Sequence, residues 1–177
     1  MTEKELQNAI TTYLSKYFFA EEEVWSTDRS GRIDIVLVHK SDIARSYPIG
    51  IEVKVDGKKT GSSLGKWLDQ AMRYNNLNFT GYGKLLICTY PQVSAKCLDE
   101  GELMTKHNCG TGDTTGHHHN VNTFIGHFKI GELQKYSRDF GMHKGKEFCR
   151  IVFNSRLIWD ERFDQFRTHN YDFVCKR

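Results

Sequence analysis

The sequence lacks any long run of apolar residues. Runs such as 33–38 span a few positions, whereas a membrane-spanning helix needs about 20. The opening MTEKELQ contains acidic residues and no apolar stretch, so we expect no signal peptide. These two absences predict an intracellular, cytoplasmic protein that has no membrane partner.

The sequence also lacks the cysteine pattern of a disulfide-bonded domain. Its cysteines number five, which is odd, and none forms a CxxC pair. We therefore expect free thiols in a reducing compartment. No repeat and no low-complexity linker divides the 177 residues, which fit one domain over 1–177. A net charge of +3 is mild and does not by itself require a nucleic-acid partner.

The apolar periodicity predicts an α/β protein. The predicted order is a helix over 3–19, strands over 32–40 and 48–57, a helix entered at Ser62 or Ser63, and a strand over 83–90. A long loop insertion over 91–121 follows. Beyond it we expect a strand over 122–130, a short helix over 131–141, and a hairpin over 148–160 that turns at Asn154 and Ser155. The tail after Asp160 carries no clear signal. This order predicts a mixed central sheet flanked by helices.

Two acids and a lysine interrupt the apolar strands. Asp34 lies inside RIDIVLV, and Glu52 and Lys54 are two positions apart in IEVK, so their side chains share a face. If the strands pair, Asp34 and Glu52 approach closely enough for a divalent cation to bridge them. Phosphodiester cleavage needs such hard oxygen ligands, and an ammonium such as Lys54 stabilises the charge that develops.

The opening helix supplies a third acid. Glu3 shares a face with the apolar stripe through Leu6, Ile10 and Leu14, whereas Glu5 points about 100° away from Leu6. We therefore expect Glu3 to face the sheet as the third acid, with Glu5 as the alternative. A first-turn acid that complements the helix dipole is the competing explanation for Glu3.

The second helix carries a glutamine and a tyrosine one turn apart. Gln70 and Tyr74 share a face with Trp67. Gln70 can hydrogen-bond a phosphate or a metal-bound water, and Tyr74 can stack or donate a hydrogen bond. The competing explanation is an amphipathic helix with tyrosine at its boundary. The tryptophans Trp25, Trp67 and Trp159 are interpreted as core or groove residues rather than base-stacking platforms.

The order of Asp34, Glu52-x-Lys54 and Gln70-xxx-Tyr74 resembles the PD-(D/E)XK nuclease superfamily. The QxxxY element is similar to the RecB-type and lambda-exonuclease-like branch, and EKEL with IEVKV is similar to archaeal Holliday-junction resolvases. The resemblance covers 3–90 and implies a restriction-endonuclease-like fold that binds one or two Mg²⁺ or Mn²⁺ ions. The implied ligands are Glu3, Asp34, Glu52 and the carbonyl of Val53. RID replaces the PD dipeptide, nothing after 91 matches, and the cysteines lack iron–sulfur spacing.

Basic residues surround this constellation. The loop VDGKKTGSS is basic and glycine-containing, which suits phosphate contacts. Simple solvation of a charged loop is the competing explanation. The candidate nucleic-acid-binding residues are Arg32, Lys58, Lys59, Lys66 and Arg73.

The loop insertion holds a second group of metal-binding residue types. Zinc favours cysteine and histidine ligands, and a structural Zn²⁺ would keep a long polar loop ordered. The spacing matches no standard finger, so an exposed histidine-rich loop is the alternative. The candidate ligands are Cys97, His107, Cys109, His117 and His119.

The sequence thus predicts a metal-dependent deoxyribonuclease. An endonuclease is favoured, since a small domain without a motor suits one, and a homodimer would suit a branched or palindromic target. A 5′–3′ type exonuclease and a non-catalytic nucleic-acid-binding protein on the same fold are the alternatives. An interaction module built on the Cys/His loop is a further one.

Overall fold

The computed structural model of the protein describes residues 2–55, 61–91, 128–138 and 146–175. Three α-helices and eight strands are assigned within these residues, with a short 3-10 helix at Asp42–Ala44. The helices are α1 (Glu3–Leu14), α2 (Gly61–Tyr74) and α3 (Thr168–Cys175). The strands are β1 (Phe18–Trp25), β2 (Arg32–His39), β3 (Ile49–Val53), β4 (Leu86–Tyr90), β5 (Gly131–Arg138), β6 (Lys146–Phe153), β7 (Arg156–Asp160) and β8 (Gln165–Phe166).

All eight strands form one mixed sheet, as the sequence predicts for an α/β protein. The strands lie in chain order from β1 to β8. The pairs β3–β4 and β4–β5 are parallel and the remaining pairs are antiparallel. The connection from β3 through α2 to β4 is a βαβ unit, the usual way to join parallel neighbours.

The sheet has an apolar cluster on each face. Ile10 and Leu14 of α1 pack with β-strand residues and with α3 on one face. Trp67, Leu68 and Ala71 of α2 pack on the other face. Because both faces are covered, all five residues of β3 are buried. A polar side chain on β3 is therefore also buried.

Helix α1 is shorter than predicted. The expected span 3–19 is wrong, because the helix ends at Leu14 and β1 begins at Phe18. The glutamate-rich FFAEEEVW has helix-forming residues, but pairing with β2 along its length fixes it as an edge strand. Charged side chains are a common way to keep an edge strand from pairing with other chains.

The helix predicted over 131–141 is wrong for the residues that the structure describes. Gly131–Arg138 is a strand that pairs with β4 and β6. Leu133 and Tyr136 have helical spacing, but burial between two strands overrides that local pattern. Of the strand predicted over 122–130, residues 128 and 129 form a turn, and 122–127 lie outside the described residues.

The C-terminal hairpin is confirmed. Asn154 and Ser155 connect β6 to β7 with φ angles of 45° and 60°. Positive φ at both central residues matches the two-residue turn that fits the twist of paired strands. The tail after Asp160, for which no element was predicted, forms β8 and α3.

Among the described residues, no helix has the length and apolar character needed to cross a membrane.

Candidate active site

Strand pairing brings Asp34 and Glu52 together. Ile35 pairs with Ile51 in the antiparallel β2–β3 ladder, so the next step of that register places Asp34 opposite Glu52. The backbone N–H of Val53 donates to Asp34 Oδ2 over 2.7 Å. The carboxylate of Asp34 is thereby fixed at the end of β3, beside Glu52.

Burial and charge disfavour ionisation of this pair. Glu52 is 1% exposed. Burial, followed by the negative charge of Asp34, raises the pKa of Glu52 to about 7. Burial also raises the pKa of Asp34, although the Val53 N–H and the Lys54 charge oppose it. Apart from the Lys54 ammonium, whose Nζ lies 2.7 Å from Oε1, neither oxygen of Glu52 has a hydrogen-bond partner in the described part of the chain, which is unusual for a buried carboxylate.

Lys54 is the counter-charge of this pair. Its Nζ lies 2.7 Å from Glu52 Oε1 and 3.3 Å from Glu3 Oε1. Burial alone would lower the pKa of Lys54, but the combined attraction of Glu52, Asp34 and Glu3 outweighs it and the pKa is raised. The lysine is therefore an ammonium placed between two carboxylates.

The two N-terminal glutamates of α1 have different tasks. Glu5 accepts a hydrogen bond from the Thr2 backbone N–H over 2.7 Å, and its own N–H donates to Thr2 Oγ1, so it belongs to a capping box. Glu3 instead contacts Lys54. The geometry thus places Glu3, rather than Glu5, beside the acid pair.

Gln7 is a site residue that the sequence reasoning missed. It is buried on α1, and its Nε2 donates to the carbonyl oxygen of Asp34 over 2.6 Å. The available signal was a polar residue one turn after Glu3 on the stripe that includes Ile10. Gln7 fixes the backbone of Asp34 from the α1 face of the sheet.

Gln70 and Tyr74 fix the same strand from the α2 face. The Tyr74 hydroxyl donates to the carbonyl oxygen of Arg32 and accepts from Gln70 Nε2, each over 2.8 Å. Tyr74 is buried, and a Cβ built on Gly31 would lie 2.8 Å from its ring. In this arrangement Tyr74 positions the start of β2 and has no open face for stacking on a base.

Of the predicted basic residues, three are described and all are exposed. Arg32 pairs with Glu23 over 2.6 Å. Lys66 and Arg73 lie on α2 and are seven positions apart, so they share a face with about 10.5 Å of helix rise between them. The rest of the set, Lys58 and Lys59, lies outside the described residues. So does the predicted zinc group of Cys97, His107, Cys109, His117 and His119.

A second polar row crosses the sheet beside Glu52. Glu52 pairs with Thr89 of β4, which in turn pairs with Glu132 of β5, so the three side chains point to the same face. Glu132 is buried and accepts from Gln134 Nε2 over 2.9 Å. Sequence reasoning missed Glu132 because it assigned this segment to a helix, on which no cross-strand neighbour exists.

The donor set at Asp34 and Glu52 fits a hard divalent cation in chemical type. Carboxylate oxygens are the ligands that Mg²⁺ prefers, and among the described residues Lys54 is the one polar contact of the Glu52 carboxylate. However, no group of three or more His, Cys, Asp or Glu side chains is arranged around a metal position in that part of the chain. Lys54 lies between Glu3 and Glu52 instead.

Comparison of the chain with protein-family models, with curated proteins and with solved structures found no match.

Proposed function

We propose that the protein is a metal-dependent nuclease that hydrolyses phosphodiester bonds in DNA, as an endonuclease. The proposal rests on the resemblance of Asp34, Glu52-x-Lys54 and Gln70-xxx-Tyr74 to the PD-(D/E)XK superfamily and its restriction-endonuclease-like fold. The observation that carries it is the pair of carboxylates formed by Asp34, which is half-buried, and Glu52, which is buried. A pair of like charges out of water is unfavourable unless a cation compensates it.

Each residue of the candidate site has a separate role in this proposal. Asp34 and Glu52, with Glu3 and the carbonyl of Val53, would hold Mg²⁺ or Mn²⁺. When bound, such an ion neutralises phosphate charge and lowers the pKa of a bound water. Lys54, whose ammonium lies at Glu52, orients the attacking water and stabilises negative charge on the phosphate. The resemblance implies products with a 5′-phosphate and a 3′-hydroxyl.

The remaining residues hold the substrate or the site. Gln7 and Tyr74 position the strand that carries Asp34, and Gln70 supports Tyr74. The exposed Arg32, Lys66 and Arg73 contact backbone phosphates. Such contacts provide affinity that is independent of sequence and weakens with salt.

Cleavage assays test this function. Plasmid, linear duplex, single-stranded and four-way-junction DNA are incubated with Mg²⁺, Mn²⁺ or EDTA. We expect metal-dependent cleavage that Asp34→Asn abolishes and that Lys54→Ala slows by about 10²- to 10³-fold, while both variants still bind DNA. Asp42→Asn, at an exposed acid in the 3-10 helix, is the matched control. Cleavage by Asp34→Asn at the wild-type rate would contradict the assignment.

A non-catalytic nucleic-acid-binding protein is the second candidate. The observation that favours it is the Lys54 ammonium, which already contacts Glu52 and Glu3 and so supplies a positive charge without a metal. This alternative predicts salt-sensitive DNA binding with no cleavage of any substrate in the same assay.

A further inference from the structure

Trp25 is an exposed tryptophan on β1, which pairs with the strand that carries Asp34. It is therefore not the core residue that was one of its two expected positions, and the stacking role that the sequence did not favour has to be considered. Trp25 is 48% exposed at the end of β1 and pairs with Arg32, the first residue of β2. The other two tryptophans, Trp67 and Trp159, are 5% and 0% exposed. A large apolar ring left in solvent next to a candidate active site is a common feature of binding surfaces.

Charged neighbours hold the ring in place. The guanidinium carbon of Arg32 lies 5.5 Å from the centroid of the Trp25 ring, within the range of a cation–π interaction. Arg32 is itself fixed by its ion pair of 2.6 Å with Glu23. The ring is thereby oriented, and much of its surface stays accessible.

The ring borders a cavity of about 300 Å³. Its lining is rich in hydroxyl and carboxylate oxygens, which accept hydrogen bonds from N–H groups. Two carboxylates and the guanidinium of Arg29 line the cavity, so it offers both acceptors and a donor to the amino, imino and carbonyl groups on the edge of a nucleobase. The lining of the cavity includes Glu21, Glu23, Trp25, Thr27 and Thr80.

The cavity lies close to the acid that would act on the scissile phosphate. Trp25, at the edge of the cavity, pairs with Arg32, which precedes Asp34 by two residues, about 6.6 Å along a strand. Glu23, at the cavity, lies opposite Asp34 in the β1–β2 register, because Glu22 pairs with Ile35 and Val24 pairs with Ile33.

We propose that Trp25 is a stacking platform for an unpaired nucleobase next to the scissile phosphate. A paired base within a duplex has both faces covered by its neighbours, so only an unpaired base can stack on a side chain in this way. The substrate class is then DNA with an unpaired segment, such as a single strand, a flap or a junction. The inference rests on the proposed nuclease function, because it places the platform relative to that site.

The first test of the stacking platform measures DNA binding under conditions that prevent metal-dependent cleavage. Tryptophan fluorescence is followed in EDTA as a single-stranded 20-mer of thymidine is added. Because Trp67 and Trp159 are buried, we expect quenching in the wild type that Trp25→Phe abolishes. Polarisation of a labelled 20-mer should show an affinity loss of about tenfold in Trp25→Ala and a smaller loss in Trp25→Phe.

Phe19→Ala is the matched control. Phe19 lies at the other end of β1, is 54% exposed, and has Lys40 and Arg45 over its ring at 5.8 Å and 5.7 Å. We expect it to bind the 20-mer as the wild type does. Equal affinity of Trp25→Ala and wild type, or an equal loss in Phe19→Ala, would overturn the platform.

A cleavage assay then distinguishes the proposed stacking platform from the proposed nuclease function. The ratio of kcat/KM for flap DNA to that for blunt duplex should fall about tenfold in Trp25→Ala and stay unchanged in Phe19→Ala. Metal-dependent cleavage with an unchanged ratio would overturn the platform and leave the nuclease. Quenching that depends on Trp25, with no cleavage of any substrate, would overturn the nuclease and retain the platform as a single-strand binding site.

Discussion

At the scale of single residues, Glu52 is the least favourably placed charge in the described site. Its carboxylate is buried, lies next to Asp34 and has Lys54 as its near counter-charge. Its folded-state pKa of about 7 lies above the value of 4.5 for an unperturbed glutamate. A metal-free protein therefore holds Glu52 in its ionised form at pH 8 only at the expense of stability.

The sign of the pH dependence follows from this shift. Between pH 4.5 and about 7 the folded state binds more protons at Glu52 than the unfolded state does, so the free energy of unfolding falls as pH rises. The full loss, roughly 3 kcal/mol, is present above pH 7. Replacement of Glu52 by the neutral glutamine removes this loss of unfolding free energy.

We therefore predict that Glu52→Gln is more stable than the wild type at pH 8 in EDTA, by roughly 1 to 3 kcal/mol. The difference should shrink towards pH 5. Urea unfolding across this pH range measures it, with Glu147→Gln as the control at an exposed glutamate paired with Lys135. Equal or lower stability of Glu52→Gln at pH 8 would show that ionisation of the buried Glu52 carboxylate does not destabilise the fold.

At the scale of elements, both helices fix the beginning of β2. Gln7 of α1 donates to the carbonyl of Asp34, and Tyr74 of α2 donates to the carbonyl of Arg32. These two contacts come from opposite faces of the sheet. The position of Asp34 therefore depends on the packing of both helices.

Removal of the Tyr74 hydroxyl should weaken this arrangement without removing a ligand. Tyr74→Phe leaves the Arg32 carbonyl and the Gln70 amide without their partner, so we expect a loss of about 1 to 2 kcal/mol in unfolding free energy. If the nuclease proposal holds, kcat should fall while KM for DNA changes little, because the residue positions Asp34 and does not contact DNA.

Tyr13→Phe is the control for this substitution, since the Tyr13 hydroxyl donates to Glu161 at the exposed surface. We expect that variant to change stability by less than about 0.5 kcal/mol. A larger rise in KM than fall in kcat for Tyr74→Phe would indicate direct contact with DNA and contradict the positioning role.

A comparison of the predicted and observed helices and strands shows which features could be predicted from the sequence. Alternating β-branched residues predicted β2 and β3, and the asparagine–serine turn predicted the C-terminal hairpin, because these signals are local. β1 and β5 were missed, because glutamate-rich and mixed polar segments become strands only through pairing with neighbours. Asp34, Glu52 and Lys54 were identifiable from their spacing, whereas Gln7 and Glu132 required the sheet register or helix packing.

At the scale of the whole molecule, the proposed cation site at Asp34 and Glu52 would couple the stability of the fold to a cation. A cation that binds only the folded state raises the free energy of unfolding by about 1.4 kcal/mol when its concentration is ten times the dissociation constant. At pH 6 protons compete for Glu52, whose pKa is about 7, so the increment should be smaller than at pH 8.

The most direct test of the cation site is the midpoint of thermal unfolding at pH 8 as Mg²⁺ is added. Mg²⁺ is preferable to a softer metal because it binds oxygen ligands and discriminates against histidine and cysteine. We expect the midpoint of the wild type to rise with Mg²⁺, the midpoint of Asp34→Asn to stay unchanged, and Asp42→Asn to follow the wild type. An equal rise in wild type and Asp34→Asn, or no rise in the wild type, would contradict a cation site at Asp34 and Glu52.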